Sequence, residues 1–261
     1  KAYDFKHKRY VAIKIIKNES RYKKQSKKEI TILNMIKKNP NMLQMLEEFT
    51  FRGHCCIVFE LLGATLFSDL ANMKDEIKIR SFAKSMLASL YYCAFHDIIH
   101  RDIKPENIVA NPNGIYGFKL IDFGSSAFHE SNSNTTYQVS RYYRGPEWIL
   151  GFNNGPWSDM WSLGCILYEL DTGEPLFPAK NEKQLLEMII IKLGLPPIEL
   201  LKKSTRALEF FPDYESEKNP KFTPGEIVCK NKDPKFIDFI KKILKWEPAK
   251  RMTLDQAYAH P

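Results

Sequence analysis

No two of the five cysteines, Cys55, Cys56, Cys93, Cys165 and Cys229, stand in a C-x-x-C pair, and no Cys/His group has zinc spacing. That excludes a zinc-knuckle module, and the thiols read as free in a reducing compartment. The chain also lacks any apolar run near the ~18 residues of a membrane-crossing helix, as well as internal repeats and a long low-complexity linker. No signal pattern opens it. It begins at Lys1 rather than at a start residue, so the natural N-terminus is expected elsewhere. His7, His54, His96, His129 and His260 have no metal-ligand company in the sequence and read as ordinary.

What is present is a chain of 261 residues, 44% hydrophobic and 27% charged, ordinary for a globular protein with a sizeable core. The net charge of +8 is unevenly placed. Residues 1–38 hold 13 Lys and Arg against 3 Asp and Glu, and the remainder carries a balance of −2. Such a basic segment suits either nucleic acid or acidic partners. It is read here as a solvated basic helix around residues 21–28 beside a phosphate-binding cleft.

Residues 10–17 (YVAIKIIK) are β-branched and predict a strand. Ile30, Leu33, Met35 and Ile36 predict a helix over 20–38. Residues 43–51 and 55–59 predict a hairpin around Arg52-Gly53-His54. Beyond Leu62-Gly63 the pattern becomes helical: 79–95, with Phe82, Met86, Leu90 and Ala94 on one face, then 159–170, 184–193 and 235–244. Short strands are expected at 108–110 and 118–121 around a turn at 111–114, with loops at 131–136 and 213–221. The sum is an α+β protein in two lobes, a strand-rich one over 1–60 and a helical one over 61–261, with a ligand cleft at 60–63.

Phosphoryl transfer needs the phosphates held, metal charge placed between them and an acceptor hydroxyl aimed in line. His100-Arg101-Asp102-Ile103-Lys104-Pro105-Glu106-Asn107 supplies the parts in one octet. Asp102 is the candidate base and Lys104 the neutraliser of charge on the moving phosphate. Asn107 is a metal ligand through its amide oxygen. Asp122-Phe123-Gly124, 20 residues past Asp102, offers a carboxylate to Mg²⁺. Val11-Ala12-Ile13-Lys14 puts a lysine on a strand, and Glu29 in the next helix is its candidate partner. Glu147 of Gly145-Pro146-Glu147 is expected to pair with Arg251 in the interior. Asp159 is expected to anchor the backbone around His100.

These stretches resemble a protein kinase domain nearly end to end, specifically the dual-specificity tyrosine-regulated kinases (DYRK) of the CMGC group. The carrying segments are VAIKIIKN at 11–18, HRDIKPENIV at 100–109, LIDFGSSA at 120–127, SRYYRGPEWILG at 140–151 and DMWSLGCILYEL at 159–170, with TGEPLF at 172–177 and FIDFIKKILKWEPAKRMT at 236–253. The resemblance implies ATP and Mg²⁺ as cofactors and protein Ser/Thr hydroxyls as acceptors, the latter from Lys104. Ala12 and Val109 would sandwich adenine. Phe59 would guard the back of the cleft, with backbone groups of Glu60 and Leu62 bonding the base. Leu33, His100 and Phe123 would stack as part of a regulatory spine. Ser140 would contact Asp102 and Lys104, and Arg144 would shape a proline-tolerant site. Tyr137 lies where this group carries its activating phosphotyrosine, and a phosphate there would sit beside Arg141 and Arg144.

Three departures stand out. The family's Tyr-x-Tyr is Thr135-Thr136-Tyr137 here, closer to the mitogen-activated or homeodomain-interacting kinases, which leaves open activation at Thr135 by an upstream kinase. Gly145 replaces the usual alanine, with little consequence expected. The glycine-rich phosphate loop is absent, and residues 1–4 resemble the stretch just after that loop in relatives. The chain is therefore expected to be a fragment that turns over ATP weakly or not at all by itself and is active once the upstream stretch is restored. Other readings are a non-catalytic kinase-fold scaffold, which should first lose Lys14, Asp102 or Asp122, and a nucleic-acid module with steeply salt-dependent binding. The expectation is a monomeric intracellular enzyme of cytoplasm or nucleus, binding neither nucleic acid nor membrane.

Overall fold

The computed structural model describes residues 1–73, 75–111, 117–129, 140–214 and 225–261. Four antiparallel strands form the first sheet: β1 (Ala2–Asp4), β2 (Arg9–Ile15), β3 (Met45–Phe51) and β4 (His54–Glu60). Their spatial order is β1-β2-β4-β3. The β-branched run makes β2, whose Ala12 and Lys14 lie opposite Phe59 and Ile57 of β4. The expected hairpin forms. Arg52 and Gly53 at its tip both have positive φ, 48° and 79°, the pair of left-handed residues whose twist matches the flanking strands. A Cβ on Gly53 would stand 2.4 Å from Asn18 Nδ2, so the tip also packs on the preceding loop.

Helix α1 (Ser20–Ile36) crosses between β2 and β3. It buries Ser26, Glu29, Ile32, Leu33 and Ile36. The buried line differs from the expected stripe. A period of 3.6 residues puts 29, 32, 33 and 36 together, leaving Ile30 and Met35 on the flanks, where they are half-buried.

The rest of the chain is mainly helical. After α2 (Leu66–Asp69) comes α3 (Glu76–Phe95), capped by the Asp75 side chain, which accepts from the Ile77 and Lys78 amides. Phe82, Met86 and Leu90 are buried as expected, but Cys93 rather than Ala94 continues the face. Short strands β5 (Ile98–Ile99) and β8 (Ala127–Phe128) pair, as do β6 (Ile108–Ala110) and β7 (Phe118–Leu120). Helix α4 (Pro146–Leu150) precedes α5 (Pro156–Thr172), the central helix of this lobe. Trp161 on α5 is fully buried and stacks on Phe177 at 5.9 Å. Around them lie α6 (Glu182–Leu193), α7 (Ile198–Lys203), α8 (Ala207–Phe210), α9 (Pro234–Ile243) and α10 (Leu254–Tyr258). Gly164 lets α9 approach α5, since a Cβ there would meet Ile243 at 2.8 Å.

The architecture is α+β and bilobal, a strand-rich lobe on a helical one. The turn expected at 111–114 falls mostly outside the described residues, as do the loop at 131–136 and most of the one at 213–221. Among the described residues no helix is long and apolar enough to cross a membrane.

Candidate functional site

Between the sheet and the helical lobe lies a cleft of about 370 Å³. Ala12 and Lys14 reach it from β2, and Glu29 from α1. Phe59, Glu60 and Leu62 reach it from the end of β4, and Asn107, Val109 and Asp122 from the opposite side. Every residue expected to hold a nucleotide therefore lines one cavity. Ile13, Leu43, Leu61, Gly63 and Ile121 complete its wall, of which Leu43 is assigned no ligand-binding role by the sequence.

Lys14 joins the two sides. Its Nζ is 2.7 Å from Glu29 Oε1 and 2.7 Å from Asp122 Oδ1. Burial alone would push the Lys14 ammonium down, but the two carboxylates outweigh it and hold it above its ordinary value. Burial would likewise raise the Asp122 carboxyl. Lys14 and the Gly124 amide reverse that and hold it below the usual range. Asp122 adopts a left-handed conformation, φ 62°, and its Oδ1 also accepts from the Gly124 N–H. The other face of this turn is held from α1, where Gln25 Nε2 donates to the Gly124 carbonyl at 2.7 Å.

The octet forms a compact loop. Asp102 Oδ1 accepts from the Ser140 hydroxyl at 2.9 Å and its amide at 3.2 Å. Oδ2 faces Lys104 Nζ at 3.0 Å and Asn107 Nδ2 at 3.0 Å. Ser140 thus meets Asp102 as expected, while Lys104 pairs with Asp102 rather than with Ser140. Both amide protons of Asn107 go to Asp102, one to its carbonyl oxygen at 2.9 Å, which leaves the Asn107 side-chain oxygen as its remaining acceptor. Beneath the loop Asp159 accepts from the His100 N–H at 2.7 Å and the Arg101 N–H at 2.9 Å. Burial nevertheless pushes its carboxyl up to about 7. His100 packs edge-on to Phe123 with ring centroids 4.9 Å apart, and Leu33 lies in the same buried cluster as Phe123.

Arg141 and Arg144 converge on the start of α6. Arg144 bonds Glu182 Oε1 at 2.6 Å, and Arg141 donates to the Lys180 carbonyl at 2.6 Å. Tyr137, expected to be modified beside them, lies outside the described residues, as does Thr135, where activation by an upstream kinase is left open. Glu147 and Arg251 form the expected interior pair.

The family model for the protein kinase domain matches residues 1–261. The chain belongs to the protein kinase family. Within it the chain is DYRK-like, of the CMGC group. It is 40% identical over 299 residues to dual specificity tyrosine-phosphorylation-regulated kinase 3 of Mus musculus, covering all of this chain and 50% of that protein. It is 40% identical to the human kinase 4 of that series, of which the match spans 54%, and 39% identical to mbk-2 of Caenorhabditis elegans, of which it spans 36%. The kinase chain thus spans about half or less of the curated relatives it matches.

Membership implies use of ATP and a divalent metal, and the donors at hand suit them. Among the described residues no group of three or more His, Cys, Asp or Glu could hold an ion unaided. Mg²⁺ asks less of a protein: one or two oxygen donors, with phosphates and water completing the shell. The Asn107 amide oxygen and Asp122 Oδ2 supply two such donors, Oδ2 having no hydrogen-bond partner among the described residues. The kinase has a further buried cation that sequence reasoning missed. Lys119 on β7 is 3% exposed and bonds Glu60 Oε1 at 2.6 Å. The two residues lie far apart in the chain, so no local pattern announces the pair.

Proposed function

We propose that the protein is an ATP-dependent serine/threonine protein kinase with tyrosine autophosphorylation in the 130–139 segment. The observation that carries this is the single Lys14 ammonium held between Glu29 and Asp122, at the mouth of a cleft whose far side carries Asn107 and Val109. Bound Mg²⁺-ATP supplies the phosphoryl group and the charge that neutralises it. Lys14, aimed by Glu29, would bind the α and β phosphates, while Asp122 and Asn107 would hold the metal. Ala12 and Val109 would enclose adenine, with backbone groups of Glu60 and Leu62 bonding it and Phe59 closing the back.

Asp102 would orient the acceptor hydroxyl and take its proton. The Ser140 hydroxyl, 2.9 Å from Asp102 Oδ1, illustrates how a hydroxyl sits against that carboxylate. Lys104, 3.0 Å from the other oxygen, would bind the transferring phosphate, which suits Ser/Thr rather than Tyr acceptors. Tyr137 would carry the activating phosphate, with Arg141 and Arg144 as its cationic partners. Arg144 would also shape the site that receives the residue after the target.

The test is transfer of radiolabelled phosphate from ATP to a generic protein acceptor, followed by identification of the labelled amino acid. The parent should label serine and threonine, and Asp102→Asn and Asp122→Asn should not. A chain carrying its upstream phosphate loop that is as inactive as these variants sinks the proposal.

A further inference from the structure

The Lys119–Glu60 side-chain pair stands beside the cleft and is used by none of the expected roles, which call on the Glu60 backbone alone. Lys119 is directly opposite Val109 in the β6–β7 pairing, so the two side chains share one face of that hairpin. Val109 lines the cleft, and Lys119 rises beside it to Glu60, the last residue of β4. The Glu60 carboxylate is fixed from a second side. Its Oε1 also accepts from the Gln44 N–H at 2.9 Å, while the Glu60 N–H donates to the Gln44 carbonyl at 3.1 Å. Gln44 is itself tied down, its side chain donating to the Asn39 and Met42 carbonyls at 2.8 Å each. The Lys119 side chain is 3% exposed and that of Glu60 27%, so solvent screens this pair little.

Among the described residues a second ion pair between the strand-rich lobe and this part of the helical lobe is Lys14–Asp122. Lys119 and Asp122 are three residues apart on one extended segment, about 10 Å. The 119–122 segment is therefore held to the strand-rich lobe at both ends. One end meets Glu60 and the other meets Lys14.

We propose that Lys119 and Glu60 form a positioning strap that sets the spacing between the segment at 60–62 and Asp122, and so the fit of the cleft to a nucleoside triphosphate. Lys119 touches neither the base nor the phosphates; it acts through Glu60. The proposal deepens the kinase reading and rests on it for the identity of the ligand. Without the strap, residues 60–62 lose their registration against Val109. The consequence falls on nucleotide binding rather than on the chemical step at Asp102.

The test compares parent, Lys119→Met, Glu60→Gln and the double variant by steady-state kinetics in ATP, by binding of a fluorescent ADP analogue with and without Mg²⁺, and by thermal melting. Each single variant should raise KM for ATP and weaken the ADP analogue by about tenfold, with kcat within about threefold. The double variant should be no worse than the poorer single one, as for partners in one interaction. Glu60→Gln, nearly isosteric, keeps the test open if Lys119→Met fails to fold. Unchanged KM and ADP affinity in either folded variant overturn the proposal, even with a lowered melting temperature, and so does simple additivity in the double variant. A rise in kcat at constant KM also overturns it. The binding arm needs no phosphoryl transfer. A parent that binds nucleotide but transfers nothing therefore removes the kinase reading while the strap is still judged. A parent that does neither removes both.

Discussion

Arg251 and Glu147 meet through two parallel bonds, of 2.9 and 2.6 Å, with neither side chain exposed to solvent. Arg251 further donates to the Lys245 carbonyl at 2.8 Å and the Trp157 carbonyl at 3.1 Å. The pair ties α4, just past the 140–145 segment, to the chain around α9. Breaking one side leaves a buried charge alone. Arg251→Met should cost about 3–5 kcal/mol in urea unfolding, and Glu147→Gln a similar amount. A loss below about 1 kcal/mol in both would show that the pair does not hold the lobe together.

The Asp102 carboxylate accepts from Asn107 within its own loop and from the Ser140 hydroxyl and amide, 38 residues on, and it pairs with Lys104. Asp102→Asn should lower kcat by about 10²–10⁴-fold while melting stays close to the parent's. Lys104→Ala should lower kcat by about 10²-fold with KM for ATP little changed, if its partner is the moving phosphate rather than adenine as proposed. Equal rises in KM for ATP in both variants would place these residues in nucleotide binding instead.

The Lys14–Asp122 contact gives a pH signature with a definite sign. The Asp122 carboxyl is held below its ordinary value of 3.8, so its contribution is present above that pH and lost as pH falls through the lower, folded value. The Lys14 ammonium is held above 10.5, so its contribution is complete below that pH and lost only as pH rises past it. The stability difference between the parent and Asp122→Asn should thus be flat between about pH 5 and 9 and shrink in acid. Its size is modest because the Asp122 side chain is 46% exposed. Urea titrations at several pH values check this, and a difference that grows below about pH 4 contradicts it.

Tyr137 is expected to be phosphorylated in the active kinase, bringing roughly −1.5 to −2 charges beside Arg141 and Arg144. Tyr137→Phe should lower kcat/KM, and mapping of tryptic peptides should find phosphate on Tyr137 in protein made without an upstream kinase. Full activity with unmodified Tyr137 rules the switch out. Phosphate found on Thr135 instead would point to activation in trans.

Gly53 offers a test of the sheet apart from the chemistry. Gly53→Ala forces a side chain into φ 79° and against Asn18, and should cost about 1–3 kcal/mol in unfolding with nucleotide affinity unchanged.

Much of this protein was legible in its sequence. The strand at 9–15 follows from a β-branched run, and the strands at 45–51 and 54–60 follow from apolar and aromatic residues on either side of a Gly-containing turn, all local signals. Lys14, Asp102, Asn107 and Asp122 were legible for a different reason. Phosphoryl transfer draws on those side-chain types, their order matches the protein kinase family, and octets such as the one at 100–107 are short enough to keep their chemistry in one stretch of chain. The buried face of α1 was only partly legible. Ile30 and Met35 are as apolar as Ile32, and which of them faces the core depends on the direction from which β4 and Phe123 approach.

Local chemistry, then, determined the protein kinase family and the candidate parts of its site. Tertiary structure alone decided how the parts are held: Glu29 and Asp122 closing on one ammonium, Gln25 reaching the Gly124 carbonyl, Asp159 gripping the His100–Arg101 amides, and Lys119 meeting Glu60 beside the cleft. Each of these contacts joins residues 15 to 108 positions apart. No periodicity in the chain encodes such a distance. A lysine on a short strand looks the same in sequence whether it ends in water or on a carboxylate, and only the packing of the two lobes puts the carboxylate there.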